Sequence, residues 1–400
     1  MVYFRALTTT ARMIRHASSL AAGLVPDHEV VLDAPDERLS GVLAAAAAGD
    51  HRPAAALFAA TRDGAEWEYR DRCTGVLARF AHSRPGWFGR WQADAAPGDP
   101  DVALLRAALA VRRAWPRADR EEWLHAATPL IRAAAAAAPH DPVPWRIALD
   151  QARGLGLPQA GFDALWSEAV VRSPHHSGCH VAALRYLTAR CRSTDPADGG
   201  RWHTAEGAGG ARSTGAAVVG ADDTDREEGD VLLGARRHDA CFYFAERAAE
   251  AALPGSLLQA LPARALLAHA APAGGPRTGG TGPARLAAAE SADLAEIASP
   301  GRVDAAVELA IGMSARYAPG DPWPAEVRNV LALVLIIRGR WADALHQFRL
   351  IGPHATAFPW TAVSDDPLGQ FLETRDGTRL QVAAGMPLWR RGHRAVPPGQ

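Results

Sequence analysis

The chain has 400 residues, 48% of them hydrophobic and 22% charged, with a formal net charge of −1; this is a globular composition and excludes a wholly disordered chain. A charge so near zero supplies no global field to draw in nucleic acid or an anionic bilayer. All 43 basic residues are Arg and none is Lys, which excludes Schiff bases, the phosphate-gripping lysine of a P-loop and the Ser–Lys dyad.

Residues 1–34 read as an N-terminal arm. The stretch is dotted with Arg5, Arg12 and Arg15 and has no acid before Asp27. The arginines interrupt any long apolar region, so the expectation is an amphipathic helix that docks on the body or frays, not a secretory signal.

From about residue 36 to 351 the texture is that of paired helices. Segments such as "VALLRAALAVRRAW" (102–115), "FDALWSEAVVRS" (162–173) and "CFYFAERAAEAAL" (241–253) place apolar residues three and four apart. In the second of these, Phe162, Leu165, Trp166, Ala169 and Val170 make one stripe. A punctuation mark recurs: "PGDP" at Pro97, "PHDP" at Pro139, "SPHH" with Pro174, and "PGDP" again at Pro319. The Asp is expected to cap a helix, with the following Pro at its first position. In the first half the marks lie roughly 35–40 residues apart, a helix-pair period. These features predict helical repeats over 35–191 and again over 236–352.

Residues 192–235 interrupt the series. They are rich in Gly, Ser, Thr and Asp and poor in large apolar residues, so the expectation is a disordered insertion. Its acidic tract "DDTDREEGD" (222–230) fails the EF-hand pattern, since Glu228 and Gly234 stand where Gly and Glu are required. The insertion separates "GCHVAALRYLTARC" (178–191) from its expected partner helix at 238–252. A Gly/Pro linker covers 272–283. In the C-terminal stretch, 353–400, Asp376-Gly377 between short alternating runs predicts a small hairpin over 371–383, followed by a basic tail.

The segment "RNVLALVLIIRGRWADALHQFRLIG" (328–352) resembles a tetratricopeptide repeat. Leu331 and Ala332 pack the first helix, Gly339 makes the turn and Trp341 takes the aromatic position after it. Ala344 is the small residue at the crossing, and Phe348 closes the second helix. The whole chain is similar in texture to large bacterial proteins of this tetratricopeptide-like type, which share the closing phrase "FRLIGPHATAFPW" (348–360). The resemblance implies an all-α fold, a right-handed superhelix of stacked antiparallel helix pairs, and no assigned reaction. It further implies a concave face lined by the first helix of each pair. Asn329, Leu333 and Ile336 would point into it, with Glu326 at the entrance. His180, Arg185 and Tyr186 in the repeat before the insertion, and Tyr243 and Arg247 after it, would extend the partner-binding surface.

One octapeptide, "SPHHSGCH" (173–180), carries candidate metal ligands. His175/Cys179 and His176/His180 are i, i+4 pairs, which share a helix face, and imidazole and thiolate both suit Zn²⁺. The competing reading is one more helix start, with Ser177 as its cap and both histidines ahead of it. That reading breaks the i, i+4 geometry and is preferred. Cys73, Cys179, Cys191 and Cys241 lie far apart without a CxxC, which points away from a disulfide framework and toward a reducing cytoplasm. No apolar run reaches the roughly 18–20 residues a bilayer span needs. No G-x-S-x-G, H-E-x-x-H, Walker A or G-x-G-x-x-G motif occurs. The expectation is therefore a cytoplasmic, non-catalytic scaffold for a protein or peptide partner, without cofactor or membrane contact. The alternatives are an enzyme with a site near His175, His176 and His180, or a nucleic-acid-linked regulator acting through the Arg-bearing tail at 389–400.

Overall fold

A computed structural model describes residues 2–192, 239–270 and 298–386. The insertion at 192–235 (beyond Arg192 itself), the linker at 272–283 and the tail at 389–400 lie outside them. In chain order, α1 (Val2–Leu20) leads through a 3-10 turn (Asp27–Glu29) to β1 (Val31–Leu32). Then come α2 (Glu37–Ala47), α3 (Arg52–Asp63), α4 (Trp67–Ser83), α5 (Gly86–Asp94), α6 (Pro100–Ala114) and α7 (Arg120–Ala137). They are followed by α8 (Val143–Leu155), α9 (Gln159–Arg172), α10 (Ser177–Arg192), α11 (239–250) and α12 (Leu261–Ala270). The last stretch holds α13 (Pro300–Ser314), α14 (Ala325–Ile337), α15 (Trp341–Ile351), β2 (His354–Ala355) and α16 (Pro367–Gly385). Among the described residues the fold is all-helical apart from the short parallel pairing of Val31 with His354 and Leu32 with Ala355.

The chain divides into two compact units, one of residues 35–269 and one of residues 1–34 with 270–400. In the first, α2 packs on α3, α3 on α4, α6 on α7, α7 on α8 and α8 on α9. A second set of contacts skips a helix: α4 packs on α6, α6 on α8 and α8 on α10. Phe244 of α11 meets the rings of Trp166 and His180. Capping fixes where these helices start. The Asp99 carboxylate accepts from the backbone N–H groups of Asp101 and Val102, with Pro100 at the first position as the sequence mark predicts. Asp141 and Asp321 instead accept from Val143 and Trp323 and lie ahead of the first helical residue. The core joins Leu39, Phe58, Leu77, Trp87, Trp91, Leu104, Leu124 and Ile147. Buried Ala107, Ala134, Ala148 and Ala152 lack bulk and let neighbouring helices approach closely.

The second unit is built around α14, whose side chains from Arg328 to Ile337 are all buried. Gly339, with a φ of +68°, turns the chain from α14 into α15. Ala344 and Phe348 of α15 are buried. The N-terminal helix α1 docks along α16, and Arg349 donates to the Leu20 and Ala22 carbonyls, both at 3.0 Å. The sequence reading sets 1–34 apart as an arm and groups 236–352 with 35–191. The structure instead gathers 1–34 with the C-terminal helices, because β1–β2 pairing and the α1–α16 contact are long-range and leave no local mark.

The expected hairpin at 371–383 is not formed; these residues lie inside α16. Asp366 accepts from Gly369 N–H and Pro367 occupies the first position, so a helix is already nucleated ahead of Asp376-Gly377. Phe371, Thr374, Arg375 and Thr378 then form one buried face at helical spacing. That burial outweighs the turn preference of the Asp-Gly pair, and Asp376 is held by Arg379 at 3.6 Å.

Candidate functional site

A buried titratable cluster runs across the helices of the 35–269 unit that pack next-but-one. Arg70 of α4 has no solvent exposure. Its Nε donates to Asp141 Oδ2 at 2.7 Å, Nη2 to Asp101 Oδ1 at 2.7 Å, and Nη1 to the Phe58 carbonyl at 2.7 Å. Arg62 pairs with the other oxygen of Asp101. Asp141 is thus shared: Oδ1 accepts from Val143 N–H at the start of α8 and Oδ2 takes the arginine. Burial pushes the Asp141 carboxyl above its ordinary range, with Arg70 acting in the opposite direction.

A parallel set lies one residue along α4. Arg146 Nε donates to Asp71 Oδ1 at 2.7 Å and Nη1 to Asp150 Oδ2 at 3.0 Å. Glu68 accepts from Ser177 N–H at 2.9 Å, so α4 supplies an anion to the N-terminus of α10. Gly178 makes room: a Cβ there would stand 2.1 Å from Asp71 Oδ2.

The histidines of "SPHHSGCH" take up backbone partners. His176 is buried; its Nδ1 accepts from Cys179 N–H at 3.1 Å and its Nε2 faces the Trp67 carbonyl at 3.2 Å. The first contact requires a bare Nδ1, so the proton sits on Nε2 and is donated to Trp67. His176, and not Ser177, therefore caps α10, and Ser177 is its first residue. Both histidine nitrogens are committed, so His176 is not open to a metal in this arrangement. Cys179 faces the Pro142 carbonyl at 3.9 Å, and burial raises its thiol well above the ordinary value. His175 lies outside the helix. Among the described residues no three His, Cys, Asp or Glu side chains gather as a metal site.

His180 is buried against the Trp166 ring, with centroids 4.9 Å apart, and donates Nδ1–H to the His176 carbonyl at 3.0 Å. Burial lowers its pKa to about 4, against the weaker raising effect of that hydrogen bond. The folded state resists protonation while the unfolded chain protonates near 6.5. The contribution of His180 is therefore full above pH 6.5 and lost as pH falls toward 4, on the order of 3 kcal/mol in all. His180→Phe keeps the ring packing and should abolish this loss. The check is urea unfolding of both proteins at pH 7.5 and 4.5; an unchanged wild-type-minus-variant difference would refute the assignment.

Several residues expected on an open groove are interior. Asn329 is buried, donating to the Ala325 and His354 carbonyls at 2.8 and 3.1 Å and accepting from Trp360 Nε1 at 2.8 Å. Leu333 and Ile336 are 2% and 0% exposed. The reason is that α14 is covered within its unit by α13, α15, β2 and the turn Ala357–Trp360. Tyr186 is also buried, stacked on Phe162 with centroids 3.9 Å apart and donating to the Leu157 carbonyl. Arg185, Tyr243, Arg247 and Glu326 are exposed.

The sequence reading passed over Arg62, Arg70, Asp71, Arg146 and Asp150. A signal was there: Arg70 sits in phase with Thr74, Leu77 and Ala81, a charge on the apolar stripe of its own helix. Chemically, these acids and bases neutralise one another and bind helix ends, holding α3, α4, α6, α8 and α10 in register. No family model, curated relative or solved structure matches the chain.

Proposed function

We propose that the chain is a non-catalytic helical-repeat scaffold that binds a protein or peptide partner. The observation that carries this reading is the next-but-one packing of α4, α6, α8 and α10. In a stack of helix pairs the first helices form one continuous row, as in a right-handed tetratricopeptide-like superhelix. The pairs are then α4 with α5, α6 with α7, α8 with α9, and α10 with α11. The use of the buried and half-buried polar side chains supports the same reading, since Arg70, Arg146 and His176 tie helices to one another. No helix of the described residues is long and apolar enough to cross a membrane, and the free thiols suit a reducing compartment such as the cytoplasm.

The recognition surface in this proposal is the exposed set on α10 and α11. Arg185 offers a planar fork for a carboxylate, and Tyr243 and Arg247 lie one turn apart. The test is affinity capture with quantitative mass spectrometry, comparing wild type with Arg185→Glu/Tyr243→Ala/Arg247→Glu. These side chains are exposed, so the variant should fold normally. The expected result is a specific partner reduced at least tenfold in the variant. Equal capture by both would remove this surface from the proposal.

A further inference from the structure

Cys191 lies at the end of α10 and Cys241 in α11, 50 positions apart in the sequence, and their Sγ atoms are 3.2 Å apart. Neither is in a disulfide; Cys191 is partly exposed and Cys241 buried. A disulfide holds its sulfurs about 2.05 Å apart, so bonding requires them to close by roughly 1 Å. Cys191 stands in the last turn of its helix, where the backbone yields most easily. The remaining cysteines are differently placed. Cys73 is buried in α4 and Cys179 is buried facing a backbone carbonyl; the Cys241 thiol is likewise raised, by its hydrogen bond with Cys191 and by burial, and Cys191 alone of the four is not buried.

We propose that Cys191 and Cys241 form a reversible disulfide that staples α10 to α11 in response to a peroxide. Cys191, the partly exposed residue of the pair, attacks one peroxide oxygen as its thiolate. An S–O bond forms, the O–O bond breaks, and the departing hydroxide takes a proton to leave as water. Cys241 then attacks the sulfenic sulfur. The S–S bond forms, the S–O bond breaks, and the second water carries away the Cys241 proton. The two thiols lose two electrons in all, and hydrogen peroxide is reduced to two waters. A dithiol reductant reverses the step by thiol–disulfide exchange. The staple bridges the chain on either side of residues 193–238 and fixes the junction of the two helices. This inference is independent of the binding role proposed above.

The test uses the reduced full chain, treated with stoichiometric hydrogen peroxide, alkylated under native conditions and mapped by mass spectrometry. The expected result is a Cys191–Cys241 linked peptide, 2 Da lighter than the two free peptides together and reversed by dithiothreitol. Cys73 and Cys179 should become alkylatable only after unfolding. In wild type the denaturation midpoint should rise on oxidation, and in Cys191→Ser it should not. Three outcomes would overturn the proposal: Cys191 converted to sulfinate while Cys241 stays a thiol, links between separate chains dominating, or no change at either residue. The mapping is done on wild type, so it stands whether or not the variant folds well.

Discussion

Arg70→Met is expected to cost about 3–5 kcal/mol of stability, among the largest effects of any single substitution in the 35–269 unit. The side chain has no solvent exposure and its guanidinium lies between Asp101 and Asp141, both buried. Met fills similar volume, so the loss is electrostatic: the Asp141 carboxylate remains in a dry interior without its cation, and Asp101 keeps only Arg62. The pair itself is a weak net stabiliser, because desolvation offsets much of the attraction, as the raised Asp141 carboxyl indicates. A double change should therefore recover ground. Arg70→Met with Asp141→Asn removes one stranded charge and keeps an oxygen for Val143 N–H. Its unfolding free energy should exceed that of Arg70→Met alone by about 1–2 kcal/mol. Denaturant unfolding of the three proteins, with hydrogen exchange across α4, α6 and α8, checks both numbers. A double variant less stable than the single one would show that Asp141 acts chiefly through its charge on something other than Arg70.

In the other unit the corresponding change is Arg328→Ala, expected to cost about 3–4 kcal/mol. All five N–H groups of this buried side chain are used. Nε donates to Ser314 Oγ at 3.2 Å; Nη1 donates to the Ala318 and Leu350 carbonyls at 3.0 and 2.9 Å; Nη2 donates to the Ser314 and Tyr317 carbonyls at 3.0 and 2.8 Å. None of these acceptors is a carboxylate. Ser314 and Leu350 lie in the last turns of α13 and α15, where the dipoles present negative charge, and Tyr317 and Ala318 lie in the turn that follows α13. Burial lowers the Arg328 pKa, yet a guanidinium stays protonated far above neutral pH. Arg328→Lys keeps the charge but offers three donors from one point instead of a planar fork. It should restore less than half of the loss, read by denaturant unfolding and by amide exchange across 298–386. Full rescue by Lys would mean that charge alone, not the fork geometry, holds the two helix ends.

The groove residues show where legibility in the sequence ended. Periodicity finds α14 and α15, and Gly339 marks the turn between them. Which face of α14 meets solvent depends on what covers it. Asn329 reads as a surface residue until His354 and Trp360 are seen to hydrogen-bond to it from a later loop. Tyr186 and His180 failed as groove residues for the same reason, since Phe162 and Trp166 of α9 cover them. Arg185, one residue from Tyr186 and about 100° around the helix, stayed exposed on the face it shares with Ala189.

By itself, the sequence determined the helical class, the start of α6 at Asp99-Pro100 and the succession of α14 and α15 about Gly339. Those depend on spacings of three and four residues and on caps within one turn, which local physics sets. It also determined that the chemistry must proceed without lysine. Only the tertiary structure decided that Arg70 and Arg328 are interior, that α1 belongs with α16, and that Asp376-Gly377 lies within a helix. It alone brought Cys191 beside Cys241. Each of these follows from contacts between residues far apart in the chain, whose burial and desolvation energies exceed local propensity and leave no periodic trace.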